Sequence, residues 1–249
     1  TKVRIMNKLK TLVASLVVAT LSFGAANSVE IRAGLTGQST GYYANVEETL
    51  KDAGRKTQTD GVAAFSYMSV FGEVAFDSAM GISLGIEYSP ESITIDKADR
   101  VLVNDSQQVA AGKTSVRDAS GTDVSESNDT GTQDIQAAVK DLTLIYVGIP
   151  VMETGLTIKA GYHMSTLQTK ETLATGSTYK DEDLEGISVG VYYDGSITDN
   201  LFYRVEGAYQ SFDDIKLVGS EVGGTTASFN EITAELAGVA AKASIGFRF

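Results

Sequence analysis

From residue 29 onward the chain alternates between apolar and small or polar side chains with a period of two, the pattern of strands whose two faces meet different surroundings. In "VEIRAGLT", Val29, Ile31, Ala33 and Leu35 share one face, and Glu30, Arg32 and Gly34 share the other. "GISLGIEYS" sets Ile82, Leu84, Ile86 and Tyr88 against Gly81, Ser83, Gly85 and Glu87. "LTIKAGYHMS" sets Leu156, Ile158, Ala160, Tyr162 and Met164 against Thr157, Lys159, Gly161, His163 and Ser165. "ISVGVYY" separates Ile187, Val189, Val191 and Tyr193 from Ser188, Gly190 and Tyr192. "LFYRVEGAYQ" separates Leu201, Tyr203, Val205 and Tyr209 from Arg204, Glu206, Ala208 and Gln210. In the final stretch Val239, Ala241, Ala243, Ile245, Phe247 and Phe249 lie opposite Lys242, Ser244, Gly246 and Arg248. Two more segments are apolar but less regular. "VAAFSYMSVFGEVAFD" alternates only in its second half, where Val70, Val74 and Phe76 oppose Glu73 and Ala75, and "AAVKDLTLIYVGIPV" is apolar on both faces, so the register of 61–77 and 135–151 stays open. The pattern predicts eight strands.

The connections alternate as well. "DSAM", "PVMETG" and "DGSITDN" read as short turns, whereas 38–60, 90–134, 168–183 and 213–236 read as long polar loops. A soluble sandwich has no reason to gather every long loop at one end. A transmembrane barrel has short turns on the periplasmic side, long loops outside and an even number of antiparallel strands. Both ends of the predicted strand series, near Val29 and at Phe249, fall at the short-turn end. The charges agree. Glu30, Arg32, Glu73, Glu87, Lys159, Arg204, Glu206, Lys242 and Arg248 all lie on the less apolar face. A soluble fold would turn that face to water; a membrane barrel encloses it in the lumen, where charges must pair. The expected fold is therefore all-β, an eight-stranded antiparallel up-and-down transmembrane barrel spanning 29–249 with four long external loops.

Composition changes this picture in two places. Residues 1–28 read as an N-terminal extension and a cleaved export signal: Met6 is the expected start, Lys8 and Lys10 precede an apolar run from Leu12 to Phe23, and Ala26 and Ser28 supply the small residues before the cut. The run is shorter than the ~20 residues a membrane helix needs, so any membrane crossing after it falls to strands. The formal charge of the whole chain is −12, and removing 1–28 takes away four cations and no anion. A chain so acidic repels the phosphate backbone, which excludes nucleic acid as a partner. With no cysteine there is neither a disulfide frame nor a thiolate metal site.

At this point the chain resembles the small eight-stranded outer-membrane barrels, the class of the OmpA membrane domain and OmpX. The resemblance covers 29–249 as architecture, and its sharpest motif is "KASIGFRF". Barrels of this class end in an aromatic residue preceded by alternate apolar positions, a pattern that the barrel-assembly machinery reads. Phe249, Phe247, Ile245 and Val239 match it, with Ala243 and Ala241 as smaller counterparts. The resemblance implies residence in a bacterial outer membrane, contact with its lipid and lipopolysaccharide, a monomer, and an envelope role with surface-exposed loops. A porin-like passage for ions or small polar solutes is the alternative, with Gly34, Gly85, Gly161, Gly190 and Gly246 as the places expected to leave gaps in the lumen. The peptidoglycan-binding domain of OmpA has no counterpart in this sequence, so cell-wall anchoring is not carried over. With no Trp, the interfacial aromatic belt falls to residues such as Tyr88, Tyr162, Tyr193, Tyr203 and Phe247.

Other chemistry is thin. The single histidine forms an H-x-S pair, His163 and Ser165, like that of the PagL-type lipid A deacylases. In that group the pair faces lipid; here it shares a face with Lys159 and Gly161, assigned to the lumen, and only Glu171 is available to orient it. No catalytic residue is expected. The acidic runs "KDEDLE" and "SNDTGTQD" lack the ligand spacing of a calcium loop, and "GSEVGG" lacks the lysine and helix of a phosphate cradle. No metal or cofactor is expected.

Overall fold

The computed structural model describes residues 29–50, 55–76, 81–103, 116–117, 123–124, 130–151, 154–172, 179–219 and 231–249. The expected export signal therefore lies outside the described residues, as do parts of the external connections. Twelve strands run in chain order: β1 (Val29–Leu50), β2 (Arg55–Phe76), β3 (Ile82–Ser89), β4 (Ile93–Val103), β5 (Val116–Arg117), β6 (Asp123–Val124), β7 (Thr130–Pro150), β8 (Leu156–Thr172), β9 (Glu182–Ser196), β10 (Leu201–Phe212), β11 (Ile215–Val218) and β12 (Glu231–Arg248). The antiparallel order β1-β2-β3-β7-β8-β9-β10-β12 closes on itself through β12 against β1. This is a closed eight-stranded barrel. Two staves are composite, since β4 continues β3 along β7, and β11 continues β10 along β12.

Alternation decides which face each residue takes, because successive side chains of a strand point to opposite sides. Along β10, Phe202, Arg204, Glu206 and Gln210 are buried, while Tyr203, Val205 and Tyr209 are exposed. Outside, apolar residues form a continuous band. On β12 it runs from Phe247 to Val239, ~27 Å along the strand at ~3.4 Å per residue and ~20 Å along the axis after a tilt of ~40°, near the ~25 Å band of outer-membrane barrels. Tyr193, Tyr203 and Phe247 flank it below; Tyr88, Tyr162 and Tyr209 flank it above. Of the belt residues foreseen, Tyr162, Tyr193, Tyr203 and Phe247 are all exposed.

The two open registers now have physical explanations. In β2, Tyr67, Ser69, Phe71, Glu73 and Ala75 are buried, whereas Val62, Met68 and Val70 are exposed. Large aromatic residues occupy the inner face, so the alternation is of position rather than polarity. In β7 the pairing with β8 slips between Lys140 and Thr143, and Asp141 takes a positive φ of 55°. This bulge inserts a residue and reverses the phase of the alternation. Beyond it Leu142, Leu144 and Tyr146 point inward, while Ile149 is exposed.

The stretches read as long loops are partly strand. β1 and β2 stay paired from Val29↔Phe76 up to Leu50↔Arg55, so 38–60 is largely a hairpin extending the barrel wall. Backbone pairing needs no apolar alternation in water, and this stretch has none for a sequence reading to detect. Similarly β8 continues to Thr172, β9 begins at Glu182 and β12 at Glu231. The wall is interrupted between β2 and β3: they pair only up to Val70↔Tyr88, and β4 pairs with β7 alone. Just above that point Ser89 Oγ donates to the Met68 carbonyl at 2.9 Å.

Candidate functional site

The inner faces of the staves bring nearly all the predicted charges together, in two layers. Glu73 is the centre of the lower layer. Arg204 grips it with two parallel bonds, Nη1 to Oε2 at 3.0 Å and Nη2 to Oε1 at 3.1 Å, the bidentate geometry that makes Arg–carboxylate pairs strong. Arg32 Nη1 adds a bond at 2.9 Å, and the Tyr146 hydroxyl donates one at 3.0 Å. On its other edge Arg204 holds Asp194, at 2.6 Å from Nε and 2.8 Å from Nη2, while its plane lies 3.8 Å from the centre of the Tyr192 ring. Glu30 pairs with Arg32. Every oxygen of Glu73 thus has a partner, as a carboxylate buried this deeply requires.

Glu87 is the centre of the upper layer. Lys242 Nζ lies 3.1 Å from both its oxygens, Lys159 Nζ is 3.3 Å away, and the Ser69 hydroxyl donates at 2.7 Å. Glu206 completes the layer through Lys159 at 2.9 Å. Glu206 and Lys242 are directly opposed across β10 and β12. They form a long ion pair of 3.8 Å, while the lysine makes its hydrogen bonds to Glu87. Glu30 and Arg248 do not pair with each other. The register sets Arg248 against Arg32; Arg32 turns to the acids around it, and Arg248 reaches Ser196 Oγ at 3.5 Å and lies 5.1 Å from the centre of the Phe202 ring.

One member of the network was invisible in the sequence reading. Asp194 was assigned to a turn, but β9 runs on to Ser196 and carries it inward in phase with Ser188 and Tyr192. With Asp194 the lumen set becomes five acids and five bases. Extending the alternation of "ISVGVYY" by one residue finds it.

The five glycines suspected of leaving gaps instead make room for neighbouring groups. A Cβ on Gly85 would lie 2.2 Å from Tyr146 Cζ, and one on Gly246 would lie 2.8 Å from Phe202. A Cβ on Gly34 would meet Phe71 at 2.7 Å and one on Gly161 would meet Leu144 at 2.4 Å, while Gly190 is overlain by the Gly207 carbonyl at 2.6 Å. The lumen is narrow, and its large rings fit only where the facing strand has no side chain.

Above the charged layers the lumen turns apolar. Tyr42, Leu167, Leu184 and Phe212 form a buried cluster against which Phe65, Val139, Ile215, Leu217 and Leu236 pack. Tyr42, Ile215, Leu217 and Leu236 come from segments read as loops, and Leu167, Leu184 and Phe212 sit at the edges of such segments, where the apolar alternation has ended. His163 and Ser165 lie inside, with exposures of 2% and 8%. The His163 ring packs 5.5 Å from Phe212, and Ser165 Oγ donates to the Leu184 carbonyl at 3.2 Å. The side chain of Glu171 lies outside the described residues. The residues of the C-terminal motif point outward, with Val239, Ile245, Phe247 and Phe249 strongly exposed. Phe249 exchanges two backbone bonds with Ile31, at 2.9 and 3.2 Å.

Among the described residues no group of His, Cys, Asp and Glu is arranged to hold a metal ion, and no helix is long and apolar enough to cross a membrane. No family model matches the chain, and no curated protein matches it. Solved structures do. The outer membrane protein OprG from Pseudomonas aeruginosa superposes with a TM-score of 0.50 at 13% identity, over 90% of this chain and 96% of that one. The outer membrane protease OmpT from Escherichia coli gives 0.47 at 12% identity, over 90% of this chain and 99% of that one. Identities this low speak of the fold alone. The chain has the closed, eight-stranded antiparallel fold of the small outer-membrane β-barrels.

Proposed function

We propose that the chain is an exported bacterial outer-membrane protein whose barrel is plugged, and whose contribution is structural, with the external wall and loops free for surface contact. The observation that carries this reading is the filled lumen: two layers of paired charge and, above them, an apolar cap. An eight-stranded barrel is only about wide enough for its side chains to fill, and here the space expected at the glycines is taken by three aromatic rings, Leu144 and a backbone carbonyl. The outward apolar band and its tyrosines support contact with outer-membrane lipid and lipopolysaccharide as a monomer. The outward row Val239, Ala241, Ala243, Ile245, Phe247 and Phe249 supports recognition by the barrel-assembly machinery, and residues 1–28 support export.

The enzyme reading loses its footing. A lipid A deacylase must present its histidine to lipid, and His163 is enclosed in the barrel. His163→Ala should leave the lipid A mass spectrum of the host unchanged; an acyl loss that depends on the wild-type residue would restore the enzyme.

Single-channel recording of the refolded barrel tests the plug. The wild type should show at most small, infrequent openings. Steady wild-type conductance, left unchanged by Glu87→Ala with Phe212→Ala, would make a channel for ions or small polar solutes the better reading.

A further inference from the structure

Between the upper charged layer and the apolar cap lies a cavity of about 10 Å³, counted as space for the centre of a water molecule. That is the size of one water, which needs ~10–15 Å³ by this measure. Its walls include Gln38, Tyr67, Glu87, His163 and Lys242. It sits beside Ser69 and Ser89, just inside the wall where β2 and β3 stop pairing.

Two of the wall residues are buried polar groups without protein partners. Gln38 is 7% and His163 2% exposed, and neither the Gln38 carbonyl oxygen nor either ring nitrogen of His163 has a hydrogen-bond partner within the protein. A buried polar group left in this condition costs several kcal/mol. A neutral imidazole has one N–H to give and one lone pair to fill. In the wall, Lys242 disfavours a cation, Glu87 disfavours an anion, and Gln38, Tyr67, Ser69 and Ser89 supply only neutral polar groups. A neutral molecule able both to donate and to accept fits this wall.

The geometry points to a structural water site in the plug: one water held between His163 and Gln38, making a hydrated joint between the ion pairs below and the cap above. The water donates to the Gln38 side-chain carbonyl and hydrogen-bonds one of the two ring nitrogens of His163. The site goes beyond the envelope reading, and it stands whether or not the barrel conducts.

His163 is the only histidine in the chain, so its ring C–H signals need no assignment in a selectively labelled, refolded full-length barrel. Water-selective NMR should show cross-peaks from water to these ring protons, with the sign given by bound rather than bulk water. Gln38→Leu removes one partner and makes that wall apolar, and Gln38→Met does so with a chain of nearly the same shape as glutamine. In whichever variant keeps the heat-modifiable migration of a folded barrel, the cross-peaks should be lost. Absence of the cross-peaks in the folded wild type overturns the site, as does their survival in a folded variant. A shift of the ring signals when chloride is exchanged for sulfate would also overturn it, since the occupant would then be a halide.

Discussion

At the scale of single residues, the upper charged layer of the lumen is organised by two acids with unequal neighbours. Glu87 serves both Lys159 and Lys242, whereas Glu206 has one close partner in Lys159. Removing Glu87 leaves two buried lysines to share Glu206, which stands 3.8 Å from Lys242. Breaking a buried pair in this way costs ~3–5 kcal/mol. Removing Glu206 leaves both lysines on Glu87, so the loss is nearer the ~1.5–3 kcal/mol of one hydrogen bond to a charged group. Urea unfolding should therefore rank Glu87→Ala as the more destabilising; the reverse order would mean that the opposed pair on β10 and β12 matters more than Glu87. The glycines make a second residue-scale prediction. Gly85→Ala puts a methyl where the Tyr146 ring lies, displaces the ring, and deprives Glu73 of the Tyr146 bond. Folded yield should fall sharply, and Gly85→Ala with Tyr146→Ala should recover part of it, because the collision is gone. Equal yields of wild type and Gly85→Ala would show that the ring is not wedged there. This arrangement was only half legible. Alternation placed the glycines on the inner face, but which ring covers which glycine depends on pairing across strands that the sequence does not number.

At the scale of elements, legibility followed polarity. Strands with apolar residues outside and small or charged residues inside stood out, and those are the membrane-crossing halves of the staves. Where a stave rises above the apolar band, both faces meet polar or mixed surroundings, the period fades, and the paired extension of β1 and β2 read as a loop. In β7 the opposite difficulty arose: Leu142, Leu144 and Tyr146 fill the lumen, so both faces are apolar, and the bulge at Asp141 changes their phase midway. The closing strand was the most legible element. Its outer row is apolar from Val239 to Phe249, and Phe249 ties the barrel shut against Ile31. On the proposal that the assembly machinery reads this row, deleting Phe249 should reduce the heat-modifiable barrel in the outer membrane while periplasmic export stays normal. Unchanged outer-membrane levels of the truncated chain would count against the assembly signal.

At the scale of the whole molecule, the ion-pair layers and the cap are stacked along one axis, so they resist ion passage in series and the tighter one sets the current. The cap joins Tyr42 of β1, Leu167 of β8, Leu184 of β9 and Phe212 of β10 across the lumen, and apolar constrictions exclude ions by refusing them water. Glu87→Ala opens the charged layer but leaves the cap; Phe212→Ala opens the cap, at ~3–5 kcal/mol of stability for a core Phe, but leaves the ion pairs. Each single variant should flicker only slightly more than the wild type, and the double variant should conduct steadily, by far more than the two single increments together. Recordings from the three folded variants at one voltage and salt concentration settle the order of the seals. If Glu87→Ala alone conducts steadily, the cap is no seal, and ions pass it through the wall between β2 and β4, where pairing stops above Tyr88. If Phe212→Ala alone does so, the charged layers already let ions through, and the apolar cluster is the only closure of the barrel.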